Sequence, residues 1–373
     1  MRIAWFRTTV PDASNPLDDT AALIDELREA HIIDVVREPE AHDFVWRHFL
    51  KPWDLCVYEL ENTRAHQFEW GYLLNYPGIV FLKNPDVENS SGATLSREGR
   101  LDDYMTEFRL DNRTQSPLRV PLLASRSVVV AYESLAESLQ DNYPDARVRY
   151  APTGVRRIRS RPQNLATTTA SGNPARTVFG VLDRGCDDVI DRAVRRAADS
   201  GSAIELLRDA APATVLVESD VVIALNWPPH EKPQTAALCA MAAGKPVIAF
   251  ELDSTADWPA LDPQTWRQRG VVPLGTPMAV TIDPRDEVHS LMLGIRRLAV
   301  DATLREQLGA AGRRWWEQRA TPAHAAAAWM RVLDEAASLT PPPRPADWPK
   351  HLGVDGTELA DAVLDEFGLS SDL

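Results

Sequence analysis

Strand-like and helix-like stretches alternate twice along this chain, and an aperiodic break separates the two runs. That alternation constrains the fold more than any other feature. Parallel strands need a crossover of about a dozen residues or more, and a helix usually supplies it. In the first run, Arg2–Phe6 and Ile32–Val36 read as strands around a helix over Asp18–Ala30, whose Ala22, Leu23, Leu27 and Ala30 share one face. Asp54–Leu60, Gly78–Leu82, Ser127–Ala131 and Val148–Ala151 are further apolar runs, and Ser134–Asn142 reads as a helix. Thr153–Arg176 loses periodicity and carries Arg, Ser, Thr, Pro and Gly, as a linker would. The second run opens at Thr177–Leu182 and continues with a helix over Asp187–Ala198 and apolar runs at Ala203–Leu207, Asp220–Leu225 and Pro246–Phe250. Helices over Val288–Ala299, Ala302–Gln318 and Ala323–Ala336 complete it. The expected architecture is α/β, with a Rossmann-like domain over residues 1–155, a linker over 156–176 and a second Rossmann-like domain over 177–338. The segment 339–373 begins Pro-rich and extended. It ends in a short tail helix whose Ala360, Val363, Leu364 and Phe367 are spaced to dock on a domain.

Charge and cysteine content narrow the function classes. With 40 basic and 54 acidic side chains the formal charge is −14, which argues against a general nucleic-acid binder. The 3 cysteines are odd in number, far apart and form no CxxC, and the 8 histidines show no ligand spacing. Neither a disulfide framework nor a bound metal is expected. No apolar run reaches the roughly 18 residues of a membrane span, and Met1–Phe6 does not open a signal peptide. The expected location is the cytoplasm, with peripheral contact at a membrane left open.

The most informative stretch is Asp220–Phe250. Val221–Leu225 reads as a buried strand, Asn226–Glu231 as a polar loop at its C-terminal end, and Pro233 as a first-turn residue of a helix running to Ala243. Gly244 is placed for a left-handed cap, and Pro246 stops any continuation. Ligands of open α/β sheets bind where strand C-termini meet helix N-termini, so the backbone N–H groups near Pro233–Ala236 are candidates to face an anion or a sugar.

Here the chain resembles the retaining GT-B glycosyltransferases, specifically glycosyltransferase family 4. Those enzymes carry a Glu, seven residues, a second Glu and then Ala-Met-Ala-Ala-Gly-x-Pro-Val. This chain has Glu231, seven residues, Cys239 and then Ala240-Met241-Ala242-Ala243-Gly244-Lys245-Pro246-Val247. Tyr76-Pro77-Gly78-Ile79-Val80, Tyr143-Pro144, Pro152-Thr153-Gly154-Val155 and the late helix from Leu304 to Trp315 add weaker likeness. The resemblance implies two doubly wound domains facing a cleft, with the C-terminal tail crossing back. It implies transfer of a sugar from a nucleotide-sugar to an acceptor (glycan, lipid, protein or small molecule) with retention of configuration, and no metal or other cofactor.

On that resemblance Glu231 is the catalytic candidate, its acceptor-only carboxylate suited to holding donor-sugar hydroxyls. Arg184 would neutralise the leaving diphosphate, and Pro233, Gln234, Thr235 and Cys239 complete the donor set. Asn62, His66, Lys83 and Asn84 would line the acceptor side of the cleft. Each has a plainer reading: Glu231 as a solvated loop carboxylate, Arg184 as a surface Arg, His66 as a helix-face residue and Cys239 as a small buried apolar group. Trp315-Trp316 reads as a packing pair, with sugar stacking as the alternative. Cys replaces the family's second Glu at 239, Val181 its Arg, and Lys83-Asn84 the region of its His; the stretch between Ser200 and Asp220 is short, as though elements were missing beside the donor pocket. These departures define the alternative function, a non-catalytic GT-B protein that binds or regulates a partner. A sugar-nucleotide epimerase is a third reading, without a carboxylate pair to support it.

Overall fold

The computed structural model describes residues 1–90, 99–100, 102, 118–158, 176–182, 185–226, 233–269, 275–343, 363–364 and 366–368. Two six-stranded sheets form, and every strand pair within them is parallel. The first has the order β2-β1-β3-β4-β5-β6, from β1 (Arg2–Phe6), β2 (Ile32–Val36), β3 (Leu55–Leu60), β4 (Ile79–Leu82), β5 (Ser127–Val130) and β6 (Val148–Tyr150). The second has the order β11-β12-β10-β9-β7-β8, from β7 (Thr177–Val181), β8 (Ile204–Leu207), β9 (Val221–Ala224), β10 (Val247–Phe250), β11 (Ala260–Leu261) and β12 (Ala279–Ile282).

Both faces of each sheet are covered, which is why these strands are apolar throughout rather than alternating. β1 shows the division: Ala4 and Phe6 join one core with Phe44, Trp70 and Leu73, while Ile3 and Trp5 join another with Leu23, Ile24 and Trp329. The second sheet is covered by helices Asp187–Asp199 and Glu287–Val300 on one face and by Thr235–Ala242 and Ala302–Arg319 on the other.

The last long helix does not stay with the second sheet. Pro322–Ser338 packs on the first, with the Trp329 ring 5.2 Å from Trp5 and 5.0 Å from Phe81. The chain therefore crosses back before residue 339. At the crossing Val155 N donates to Ala320 O at 3.0 Å. Gly154 lies against Thr321 and Pro322 so closely that a Cβ would sit 2.6 Å from the Thr321 carbonyl oxygen. The stretch between Ser200 and Asp220 holds β8 and the helix Pro212–Glu218. The tail helix expected near Gly368 lies mostly outside the described residues; its Val363 and Phe367 are exposed rather than docked.

Candidate functional site

In the first sheet the chain reverses direction at β1, with β2 on one side and β3 on the other, so the switch point lies at the C-terminal ends of β1 and β3. Five ionisable side chains converge there. Arg7 follows β1, Glu59 is near the end of β3, Lys83 follows β4, and Asp18 and Asp19 open the helix Asp19–Leu27. Lys83 Nζ donates to Asp19 Oδ1 at 2.7 Å and to Thr20 Oγ1 at 3.1 Å, and lies 3.2 Å from Glu59 Oε1. The Thr20 hydroxyl donates to Glu59 at 2.9 Å, and Arg7 donates to Asp18 at 3.1 Å. Burial raises the Glu59 pKa, but Lys83 and Arg7 outweigh it and hold the carboxyl below its ordinary range. Burial opposes charge on Lys83 as well; Asp19 and Glu59 overcome it and raise its pKa. The cation expected in the acceptor cleft is thus neutralised inside the protein, the usual condition for a buried charge.

The other acceptor-side residues also have internal partners. Asn84 is buried and its Oδ1 accepts from Asp86 N at 3.0 Å, closing a local turn. Asn62 Oδ1 accepts from Asn89 N at 2.7 Å. His66 is buried with Nδ1 3.0 Å from Glu69 Oε1, and Glu69 is fully buried. Burial pushes the Glu69 carboxyl up to about 8, against the opposing pull of His66.

In the second sheet the switch point lies between β7 and β9. The helix Thr235–Ala242 follows β9, with Gln234 at its N-cap and Pro233 just before the cap rather than in the first turn. Gln234 is buried; it accepts from Asn226 Nδ2 at 3.3 Å and donates to Ser254 Oγ at 3.0 Å. Thr235 is half-buried in the first turn. At the other end Gly244 takes φ +70, the left-handed cap its position called for. Glu231 and Arg184 lie outside the described residues.

Cys239 is fully buried, and its thiol donates to the Pro16 carbonyl at 3.0 Å. Leu17 packs on the same core. The loop after β1 therefore seals the position expected to contact the donor. A thiol is small and weakly polar, so a loop can close over it without stranding a charge. A cavity of about 270 Å³ remains at the ends of β7 and β8, lined in part by Val181, Arg208 and Asp209. Arg208 is paired with Asp191, and Asp209 holds φ +60, a strained conformation for a residue with a side chain.

A larger cavity of about 490 Å³ lies between the two sheets. Tyr132 and Tyr150, at the ends of β5 and β6, line it from the first sheet. Pro233, Gln234, Asp253 and Trp258 line it from the second. Two of the expected donor residues thus reach this space, and a set that sequence reasoning missed surrounds them. Strand position carries the signal that would have found them: Tyr132 and Asp253 lie within three residues of a strand's C-terminal end. The pair Trp315-Trp316 divides. Trp316 is buried with its Nε1 donating to Val155 O at 3.0 Å, whereas Trp315 forms part of the cavity wall.

Among the described residues no group of three His, Cys, Asp or Glu side chains is placed to hold a metal, and no helix is long and apolar enough to cross a membrane. No protein-family model and no curated protein matches the sequence. Solved structures do match. Sucrose-phosphate synthase from Thermosynechococcus elongatus superposes with a TM-score of 0.58 at 13% identity, over 90% of this chain and 98% of that one. A glycosyltransferase from Rickettsia africae gives 0.52 at 10% identity, over 91% and 99%. S. aureus TarM, in a complex with fondaparinux, α-GlcNAc-glycerol and UDP, gives 0.50 at 10% identity, over 77% of this chain and 58% of that one. Identities this low establish the fold alone, and the fold is GT-B, as the resemblance implies: two parallel six-stranded sheets with their helices.

Proposed function

We propose that the protein is a glycosyltransferase that moves a sugar from a nucleotide-sugar to an acceptor with retention of configuration, along the lines of glycosyltransferase family 4. The observation that carries this reading is the cavity between the sheets, where the ends of β5, β6 and β10 meet the start of the helix Thr235–Ala242. TarM, a protein of the same fold, is seen with UDP, which supports a nucleotide as one ligand. In this reading Glu231 orients the donor hexose, and Arg184 with the helix N-terminus stabilises charge on the leaving diphosphate. The leaving phosphate takes the acceptor proton, so no general base is required of the protein, and no metal is needed.

The sealed thiol of Cys239 favours a second reading, a non-catalytic binding protein of the same fold, because a donor would reach position 239 only after the Pro16 loop moved. A thermal-shift screen with nucleoside diphosphates and nucleotide-sugars separates the two. A ligand at 100 Kd stabilises by about 2.7 kcal/mol. Release of free sugar or transfer from the ligand that binds, lost at least about tenfold in Glu231→Gln with nucleotide affinity kept, is the outcome expected of the enzyme. Binding without turnover supports the second reading, and binding of no nucleotide removes the first.

A further inference from the structure

We infer that the cavity between the sheets takes a neutral saccharide ring as the acceptor, an inference that rests on the glycosyltransferase reading for the ring's role but not for its binding. The first argument is the wall. Trp258 and Trp315 meet edge to face with ring centroids 6.0 Å apart, and Tyr132 and Tyr150 approach from the other sheet. The C–H face of a pyranose is weakly positive and matches the negative face of an aromatic ring. Four aromatic residues around one cavity therefore suit a ring that is apolar on its faces and polar at its edge.

The second argument is charge. Glu133, Asp253 and Asp257 line the same space as Arg319 and Arg331, and Arg319 lies 4.0 Å from Asp257. A diphosphate needs an excess of positive charge, and among the described residues this lining has none. Carboxylates that accept and guanidiniums that donate are instead the complement of a ring of hydroxyls, which do both. The third argument is unfinished hydrogen bonding. Among the described residues Trp315 Nε1 and the Thr153 hydroxyl are both buried and without a partner, and both residues belong to the cavity wall. Interiors seldom leave such groups unpaired. A small side-chain rotation in the presence of a sugar would pair them. The volume, about 490 Å³, falls within the range of small-ligand sites.

The test is saturation-transfer NMR and calorimetry on the full chain. The probes are glucose, galactose, mannose, N-acetylglucosamine, maltose and cellobiose, offered to the wild type, Thr153→Val and Tyr150→Ala. At least one probe should bind. Thr153→Val should weaken it about tenfold, the loss of one hydrogen bond, while the unliganded protein melts at the same temperature or higher because an unpaired buried hydroxyl is gone. Tyr150 is 44% exposed, so Tyr150→Ala keeps the fold and decides the matter if Thr153→Val does not fold. Failure of every probe, or affinity unchanged in the folded variants, overturns the inference. Nucleotide-sugar binding and hydrolysis, measured on the same samples, keep the two readings apart. Turnover without saccharide binding refutes only the acceptor site, and saccharide binding without any nucleotide response refutes only the transferase.

Discussion

The Cys239 thiol donates to the Pro16 carbonyl at 3.0 Å, joining the helix that follows β9 to the loop that follows β1. One residue is on the second sheet's side of the molecule and the other on the first sheet's side. Leu17 adds apolar contact beside them. Arg156 holds the same region from behind, donating to the carbonyls of Ala13 at 3.3 Å and Ala21 at 3.2 Å. The place where the family resemblance puts a donor contact is thus a seam between the two halves of the molecule.

The seam predicts how position 239 tolerates change. Cys239→Ser keeps size and a donor, and should alter stability by no more than about 1 kcal/mol. Cys239→Glu adds volume and a buried carboxylate facing a carbonyl oxygen, and should cost several kcal/mol in urea unfolding at neutral pH. A glutamate variant as stable as the wild type, with nucleotide binding gained, would show that the loop opens readily and that the position belongs to a cleft.

Lys83 should be among the most sensitive single positions of the first sheet. Lys83→Met removes the cation that both Asp19 and Glu59 face, leaving Asp19 without that ion pair and Glu59 with Arg7 alone, and should destabilise by about 3–5 kcal/mol. Adding Glu59→Gln should recover a large part of that loss, because the second substitution removes one of the stranded charges. Additive losses in the double variant would mean that the two residues act separately, against the geometry.

Much of the fold was legible because buried parallel strands are apolar on both faces. Arg2–Phe6 and Ile32–Val36 form as the sequence pattern predicts, and Asp18 caps its helix by accepting from Ala21 N at 2.9 Å. β12 was not legible: Ala279–Ile282 is four residues long and exists through pairing with β10, a long-range partner that local pattern does not report. The helix Phe44–Leu50 was obscured for the opposite reason, since its Val45, Trp46, Phe49 and Leu50 are apolar yet exposed. At the site, Lys83 and Asn84 were identifiable as strand-end residues, but their engagement by Asp19 and Asp86 depends on how distant loops and local turns fold. Cys239 falls on the helix that the sequence pattern predicts, while the loop that seals it comes from more than 200 residues away.

Gly154 should not tolerate a side chain. The chain passes between the sheets at 155 and again near 320, and the two passages touch there. An added Cβ would meet the Thr321 carbonyl oxygen at 2.6 Å and the Pro322 Cα at 2.8 Å, both backbone atoms that cannot swing aside. Gly154→Ala should therefore lower stability by about 1–3 kcal/mol through overpacking. Unfolding curves identical to wild type would mean that the two passages separate at little cost.

Glu69 should give the protein a stability that declines from mildly acidic to mildly basic pH. Its carboxyl is fully buried, only one oxygen is paired, with His66, and burial raises its pKa from 4.5 to about 8. Burial lowers the His66 pKa, but its bond to Glu69 outweighs that and leaves it raised. Both groups therefore hold protons more tightly in the folded state than in the unfolded one. Through Glu69 alone, between pH 4.5 and about 8 the folded protein binds more protons, so stability falls as pH rises, by up to about 1.4 kcal/mol per pH unit. The His66 contribution has the same sign: it is present below the unfolded histidine pKa and lost as pH rises through the folded one. Glu59 runs the other way, because its depressed pKa makes stability fall only as the solution becomes more acid than an ordinary carboxyl requires. Glu69→Gln removes the titrating group and the carboxyl whose hydrogen bond raises His66. Urea midpoints at pH 5.5 and pH 8 should differ clearly in the wild type and much less in the variant. Equal midpoints in the wild type, or an unchanged slope in Glu69→Gln, would assign the pH response to other groups.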